Sequence, residues 1–270
     1  MYQPKFAYAV WPWGLDRKEQ MIQALKDVKE AGFTAFESVE SAVDLFQNNV
    51  EEFKDIISEH GVYPVSFYFW QNGDETHDIG SVERKIDFMV ANGVHRMSVQ
   101  APQTDGTPTS MENLKRVLKI TEKIGKITKQ YDITPCIHPH HNTMIMYENE
   151  IDFIMQNTDP EYIGFGPDTA HLAAGGCNPA EIFERYIDRV QFVHLKDLKE
   201  DAELESTGNT GFDVYNNFME LGQGDIDLKA VFKILKDHEC NAYMTVELDR
   251  TRYTNKESAI ISRKYLDRNF

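Results

Sequence analysis

The sequence predicts a single (β/α)8 TIM barrel, and three observations support this fold class. The chain of 270 residues contains no linker rich in Pro, Ser or Gly, so we expect one large domain over residues 1–270. Short apolar runs alternate about eight times with amphipathic stretches of helical length. Glycines such as Gly32, Gly61 and Gly93 end predicted helices directly before the next apolar run. Strict alternation predicts a parallel sheet, and about eight units in roughly 250 residues predict its closure into a barrel.

Each element is predicted from its local composition: strands are short runs rich in β-branched and aromatic residues, and helices are longer amphipathic stretches. The predicted strands span residues 5–10, 33–37, 62–69, 94–100, 133–138, 162–168, 190–195 and 243–247. The predicted helices span residues 17–31, 44–60, 82–92, 111–130, 148–156, 179–186, 228–238 and 256–267. A doubly wound open sheet usually has a glycine-rich phosphate loop after its first strand, whereas Trp11-Pro12-Trp13-Gly14 follows strand one here. The barrel is therefore the preferred architecture.

One segment interrupts the regular alternation. Residues 199–224, between strand seven and its helix, form a long polar stretch rich in Asn, Gly and Glu. Long loops on the catalytic face of a barrel are often binding elements, so a lid over the barrel mouth is one interpretation. A solvated surface excursion is the other.

Composition and charge narrow the class of partners. The formal net charge of −16 repels phosphodiester backbones, so we expect no nucleic-acid partner and a neutral small molecule as substrate. No apolar run approaches the roughly 20 residues of a membrane helix, and the first residues lack the hydrophobic stretch of a signal peptide. The three cysteines form no CxxC pair, so no disulfide framework is expected. These features predict a cytoplasmic protein without a membrane partner, and a homo-oligomer is compatible with them.

Candidate metal ligands end four consecutive predicted strands. His138, Asp168, His194 and Glu247 lie at the ends of strands five to eight, and in a parallel barrel these ends meet at one mouth. Two imidazoles and two carboxylates suit a divalent transition metal and leave coordination positions open for substrate oxygens. We therefore predict one divalent metal ion, preferably Mn²⁺ or Co²⁺, with Zn²⁺, Fe²⁺ and Mg²⁺ as alternatives.

Three histidines crowd the end of strand five. Strand pleating places His138 and His140 on one face and His141 on the other. His138 is the predicted ligand, although the spacing also allows His140 to bind the metal. The alternative role of His140 is a catalytic acid or base, and we expect His141 to be a structural donor.

Further side chains near the predicted mouth are candidates for catalysis and substrate binding. His171, three residues after Asp168, could contact the substrate or support that carboxylate. Lys196 shares a strand face with His194 and could polarise a substrate oxygen, or form an ion pair with a neighbouring carboxylate. Glu37 ends strand two and is a candidate hydrogen-bond acceptor for the substrate.

Aromatic and cationic side chains complete the candidates. Trp13, together with Trp11, Phe67 and Phe69, could form a stacking wall for a sugar ring, although aromatic residues in strands usually belong to the core. Arg250 follows strand eight and could bind an anionic group of the substrate.

The chain resembles the xylose-isomerase-like barrels often described as sugar phosphate isomerases or epimerases, across nearly its full length. The segments that carry the resemblance are residues 138–143, 168–173 with Gly175-Gly176, 194–197, 221–227, and Val246-Glu247. Ketose 3-epimerases of this group have a glutamate at the end of strand five, where this chain has His138. The histidine-rich end of strand five and the Val246-Glu247-Leu248-Asp249 string resemble inosose (2-keto-myo-inositol) dehydratases instead. The resemblance assigns the metal to His138, Asp168, His194 and Glu247.

The chemistry implied by the resemblance is proton abstraction next to a metal-bound ketone of a keto sugar or keto cyclitol. Glu247 or His140 would act as the base, and His140 or Lys196 could deliver a proton to the leaving hydroxyl. Elimination of water makes the protein a metal-dependent lyase; reprotonation on the opposite face makes it an isomerase or ketose 3-epimerase. A dehydroshikimate dehydratase, with Arg250 or Arg252 on the substrate carboxylate, and a non-catalytic sugar- or metal-binding barrel are further alternatives.

Overall fold

Eight parallel strands form the barrel in a computed structural model that describes residues 2–199 and 213–270. The barrel strands are β1 (Lys5–Ala9), β2 (Ala35–Val39), β3 (Tyr63–Trp70), β4 (Arg96–Gln100), β5 (Thr134–His138), β6 (Gly164–Phe165), β7 (Phe192–Leu195) and β10 (Tyr243–Val246). Their order in the sheet is β6-β5-β4-β3-β2-β1-β10-β7. Parallel bridges from Phe165 to Val190 and from Asp168 to His194 join the two edges of the sheet. The predicted (β/α)8 barrel is thereby confirmed.

Helices surround the barrel, and a short antiparallel pair lies outside it. The helices are α1 (Lys18–Glu30), α2 (Glu40–Phe46), α3 (Val50–His60), α4 (Glu75–Ala91), α5 (Met111–Thr128), α6 (Glu148–Asn157), α7 (Thr169–Ala174), α8 (Pro179–Tyr186), α9 (Leu228–Asp237) and α10 (Asn255–Asn269). The pair consists of β8 (Asp197–Leu198) and β9 (Phe218–Met219). None of the helices in the described ranges is both long and apolar enough to cross a membrane.

Three predicted elements differ from the structure for identifiable reasons. The helix predicted over residues 82–92 begins earlier, at Glu75, because the Asp74 side chain caps it by accepting from the His77 N–H. The helix predicted over residues 44–60 is two helices, α2 and α3, because the Asn49 side chain caps a new helix by accepting from the Glu52 N–H. Strand six is shorter than the predicted residues 162–168. Pro167 follows closely and has no N–H for the ladder, so the regular strand ends at Phe165 and an isolated bridge at Asp168 follows it.

The barrel interior is apolar toward the amino ends of the strands and polar toward their carboxyl ends. Ala7, Ala35, Val65, Cys136 and Phe192 come from five different strands and pack together, which is feasible only inside the barrel. Further along the strands, buried polar side chains replace these apolar ones; they are Glu37, Ser66, Ser98, His138, His194 and Thr245. Because burial of polar groups is costly without partners, this polar end is where the site is expected.

Candidate metal and substrate site

Asp168 caps a helix with one carboxylate oxygen and leaves the other unpaired. Its Oδ1 accepts hydrogen bonds from the N–H groups of Ala170 and His171, at 2.7 and 2.8 Å, at the start of α7. Its Oδ2 is buried and has no hydrogen-bond partner among the described residues. Asp168 thus combines a rigid backbone anchor with a free ligand atom.

His194 has the same division of roles between its two ring nitrogens. Nε2 lies 2.5 Å from Oε2 of Glu37, and Nδ1 has no hydrogen-bond partner among the described residues. Nδ1 lies 3.8 Å from the unpaired Oδ2 of Asp168. Burial by itself would lower the pKa of His194, but the nearby carboxylates, Glu37 first, raise it. Two free ligand atoms therefore face each other across the seam between β6 and β7.

His138 presents a third ligand atom to the same place. Its Nδ1–H donates to the carbonyl of Gly166 at 3.1 Å, so Nε2 carries the lone pair of the neutral ring. Burial, with the neighbouring His194, lowers the pKa of His138 and keeps the ring neutral. His138, Asp168 and His194 offer ligand atoms that all lie within 4.8 Å of one another. A ring nitrogen that donates to a backbone carbonyl is typical of metal-binding histidines.

Glu247 lies at the edge of this cluster. Its Oε2 contacts Nζ of Lys196, and its Oε1 is buried without a hydrogen-bond partner among the described residues. Burial and the neighbouring Asp249 raise its pKa. Glu247 also belongs to a group with Asp168 and His171 whose ligand atoms lie within 4.8 Å of one another. Three of the four predicted ligands thus form one group. Glu247 belongs to a second group, and Asp168 is a member of both.

The single positive charge of Lys196 does not balance the negative charges of the carboxylates around it. Its ammonium contacts Glu247, lies 3.0 Å from Asp249 and 3.8 Å from Asp168. Burial lowers its pKa, but these three carboxylates outweigh burial and raise it. One cation therefore faces three carboxylates, and buried charge is costly unless it is balanced. Together with the unpaired atoms of Asp168, His194 and Glu247, this excess of negative charge fits a divalent cation.

His140 and His171 form a stacked pair beside the cluster. Their ring centroids lie 3.7 Å apart. The Nδ1–H of His140 donates to the carbonyl of His141 at 2.8 Å, so its Nε2 carries the lone pair. Burial, with Lys196, lowers the pKa of His140 to about 3. The N–H of His141 donates to Nδ1 of His171, and Nε2 of His171 lies 3.2 Å from Nζ of Lys196.

A cavity of about 270 Å³ opens above these residues at the mouth of the barrel. Its floor includes His138, His140, Glu247 and Asp249, and aromatic side chains form its wall. Those aromatic residues are Trp11, Tyr68, Trp70 and Tyr215. A small polar molecule with an apolar ring face suits such a combination.

Among the described residues, the cavity lining includes none of the four side chains predicted to bind the substrate, Glu37, His171, Trp13 and Arg250. Trp13 lies at the end of a short 3-10 helix that directs it away, and its Nε1 donates to Asp27; Trp11 lines the cavity in its place. Arg250 is exposed and lines a separate crevice of about 190 Å³. Glu37 is fully buried below the cavity floor, where both of its oxygens have protein partners. The substrate-binding roles expected for Trp13, Arg250 and Glu37 therefore have no support in this geometry.

Lys196 and His171 also lie below the floor. Both are fully or nearly fully buried, and neither lines the cavity among the described residues. The structure favours the ion-pair alternative for Lys196, because Glu247 and Asp249 contact its ammonium. His171 supports the site from beneath through its contact with Lys196 and its ring packing on His140.

Several cavity residues were missed by the sequence reasoning. Gln100 ends strand four and could have been found by the rule that selected the metal ligands. Tyr68 donates to its Oε1 at 2.7 Å from the neighbouring strand. Tyr215 lies in the polar segment 199–224, where no sequence pattern distinguishes it from its neighbours.

The interpretation of residues 199–224 as a lid falls partly on residues 200–212, which lie outside the described residues. The end of the segment, which the structure describes, is attached to the barrel by Asp197. Its carboxylate accepts from the N–H groups of Leu198, Gly222, Gly224 and Ile226. This anchor joins Asp197 to Leu221–Asp227, two of the segments that carry the family resemblance.

Comparison with known proteins identifies the family of this barrel. The family model described as Xylose isomerase-like TIM barrel matches residues 25–268. This chain belongs to that family. Among curated relatives of the barrel, an inosose dehydratase from Clostridium tetani is 34% identical over 161 residues. That match covers 57% of this chain and 54% of the relative, so the chain spans about half the length of the curated relative.

Solved structures of other proteins have the same fold at low sequence identity. The IolI protein, solved with a bound zinc atom, is 16% identical with a TM-score of 0.79, over 98% of this chain and 99% of that one. An L-ribulose 3-epimerase is 13% identical with a TM-score of 0.79, over 99% of this chain and 94% of that one. At these identities the likeness concerns the fold alone.

Proposed function

We propose that this chain is a divalent-metal-dependent lyase that removes water from a keto cyclitol, as the name of its inosose dehydratase relatives indicates for them. The observation that carries the proposal is the floor of the cavity. His138, His140 and Glu247 line that floor, and directly beneath it lie the unpaired buried atoms of Asp168 and His194, within reach of the lone pair of His138. The metal would be held by His138, Asp168, His194 and Glu247.

When bound, the metal supplies a Lewis acid that polarises the ketone next to the reacting carbon. The chain itself supplies the proton transfers. Glu247 lines the cavity, and its two oxygens, Oε1 unpaired and Oε2 on Lys196, would divide the roles of metal ligand and of base for the proton on the carbon next to the ketone. Its raised pKa makes it a stronger base than an exposed glutamate.

His140 is the proposed donor to the leaving hydroxyl. Its Nδ1–H is held by the carbonyl of His141, so Nε2 is the atom that exchanges a proton with the substrate. Because burial strongly lowers its pKa, His140 is neutral at rest, so Nε2 must first take up a proton, which it then passes readily to the leaving hydroxyl. The carbon–oxygen bond then breaks, water leaves, and the electron pair from the broken C–H bond forms the C=C bond of an enone.

The cavity favours a neutral ring over a carboxylate substrate. The described residues that line it include no Lys or Arg, which a dehydroshikimate would require. Its aromatic wall can pack on the C–H face of a cyclitol while the polar floor contacts the hydroxyls. This supports a keto cyclitol over the carboxylate alternative.

The test is incubation of the purified protein, loaded with Mn²⁺ or Co²⁺, with 2-keto-myo-inositol and with ketohexoses in D₂O. We expect an absorbing enone from the keto-inositol and little C3 epimerisation of the ketohexoses. Deuterium incorporation and epimerisation without an enone would replace the lyase by the epimerase alternative. Absence of any reaction with either class would favour a non-catalytic barrel.

A further inference from the structure

We propose that Glu37 is a positioning residue that holds the metal-binding nitrogen of His194 toward Asp168. The inference rests on the proposed metal site. Glu37 is fully buried, and its Oε2 lies 2.5 Å from Nε2 of His194. This contact commits Nε2 to Glu37 and leaves Nδ1 as the coordinating nitrogen, 3.8 Å from Asp168 Oδ2.

Two serines hold the carboxylate of Glu37 in turn. Its Oε1 accepts from the hydroxyl of Ser66 at 3.0 Å and from that of Ser98 at 2.7 Å. The serine oxygens are 3.4 Å apart, and both residues are buried. A buried carboxylate with two hydroxyl donors and an imidazole donor is well satisfied, so it has little tendency to turn toward the cavity.

A β-bulge in β3 brings Ser66 within hydrogen-bonding distance of Glu37. Phe36 pairs with Pro64, but Glu37 pairs with Ser66, so Val65 is an extra residue on β3. Val65 packs in the apolar barrel interior, and the next residue, Ser66, also directs its hydroxyl inward to Glu37. In a regular strand consecutive side chains point to opposite faces, and a bulge changes that alternation. The bulge therefore places a hydroxyl donor where a regular strand would place none.

Metal affinity in the absence of substrate tests the role. We measure Co²⁺ and Zn²⁺ binding to wild type, Glu37→Gln, and a Ser66→Ala/Ser98→Ala double variant by chelator competition and by the Co²⁺ visible absorption bands. Removing the carboxylate partner of a metal-binding histidine typically lowers metal affinity by about 10- to 100-fold. We expect a loss in this range for Glu37→Gln and a smaller loss for the serine variant. Asp78→Asn, a buried carboxylate that accepts the N–H groups of Asn72 and Gly73, is the matched control and should retain wild-type affinity.

A second readout reports on His194 directly. In long-range ¹H–¹⁵N spectra of the Zn²⁺ form labelled with [¹⁵N]histidine, we expect His194 to carry its proton on Nε2. That signal should move in Glu37→Gln, while the signal of the exposed His95 should not. A protonated Nδ1 in wild type, or metal affinity of Glu37→Gln within about twofold of wild type, would overturn the proposal.

The outcomes separate this inference from the proposed function. Metal loss in Glu37→Gln without any dehydratase activity in wild type would support the inference and reject the lyase. Dehydratase activity in wild type with unchanged metal binding in Glu37→Gln would support the lyase and reject the role of Glu37. A wild-type protein that binds no divalent metal would overturn both.

Discussion

Asp168 and His194 are bridged across the seam that closes the barrel, and each turns one unpaired buried atom toward the other. Oδ2 of Asp168 lies 3.8 Å from Nδ1 of His194. Their remaining polar atoms are committed to the α7 N-terminus and to Glu37. The pairing of strands thus creates half of the candidate metal site.

Asp168→Asn and Glu247→Gln should each abolish metal retention while the barrel stays folded. Asparagine still caps a helix well, so α7 keeps its N-cap. The loss of a ligand should exceed the roughly 100-fold loss expected for a supporting residue. Metal content of the purified protein and a cooperative thermal transition are the measurements.

The control for these two variants is Glu150→Gln. Glu150 is a fully buried carboxylate that accepts from the Met146 and Tyr147 N–H groups and belongs to none of the candidate ligand groups. It should lose some stability and keep its metal. Full metal occupancy and activity in both ligand variants would reject the assigned site.

His138→Glu should keep the metal and acquire some epimerase activity. A metal-bound neutral imidazole has its lone pair committed, whereas a carboxylate can bind the metal and also accept a proton. We expect the rate of enone formation to fall by about tenfold or more and deuterium exchange at the carbon next to the ketone to remain. His138→Gln offers a ligand oxygen without a base, so it should show no gain. Equal epimerase activity in the two variants would contradict the idea that the strand-five residue separates the two reactions.

His140→Ala should lower kcat far more than it lowers metal affinity. His140 lines the cavity but lies outside the group formed by His138, Asp168 and His194. The loss of a general acid typically costs about 10²- to 10⁴-fold in rate. Steady-state kinetics and Co²⁺ titration of the same preparation check this. If Co²⁺ binding fell as far as kcat, His140 would be a metal ligand and not a proton donor.

Asp197→Asn should destabilise the protein by about 2 kcal/mol, since hydrogen bonds to charged groups contribute roughly that much. The carboxylate accepts four backbone N–H groups with two oxygens, and the amide nitrogen of Asn would face two of those donors. Because Tyr215 lies on the segment held by this anchor, KM should rise as well. Thermal unfolding and KM are the measurements; unchanged values for both would mean that the anchor does not hold the segment.

The order of the elements and the strand ends that carry the candidate metal ligands could be predicted from the sequence. Alternation of strands and helices implies a parallel barrel, and a parallel barrel brings all strand carboxyl ends to one mouth. His138, Asp168, His194 and Glu247 therefore had to lie near one another, whatever their exact rotamers. Asp168 and His194 meet at the seam because β6 and β7 are the two edges that closure brings together.

The direction of each remaining side chain was decided only by the tertiary structure. Glu37 ends strand two as predicted, but the bulge at Val65 supplies the Ser66 donor that holds it under the site. Trp11 and Trp13 are two residues apart, yet a short 3-10 helix sends one into the cavity and the other to Asp27. A shift of one residue in strand register, or one turn of tight helix, changes where a side chain points. Sequence periodicity predicts where a strand ends. Strand register and local turns depend on contacts between segments that are distant in the chain.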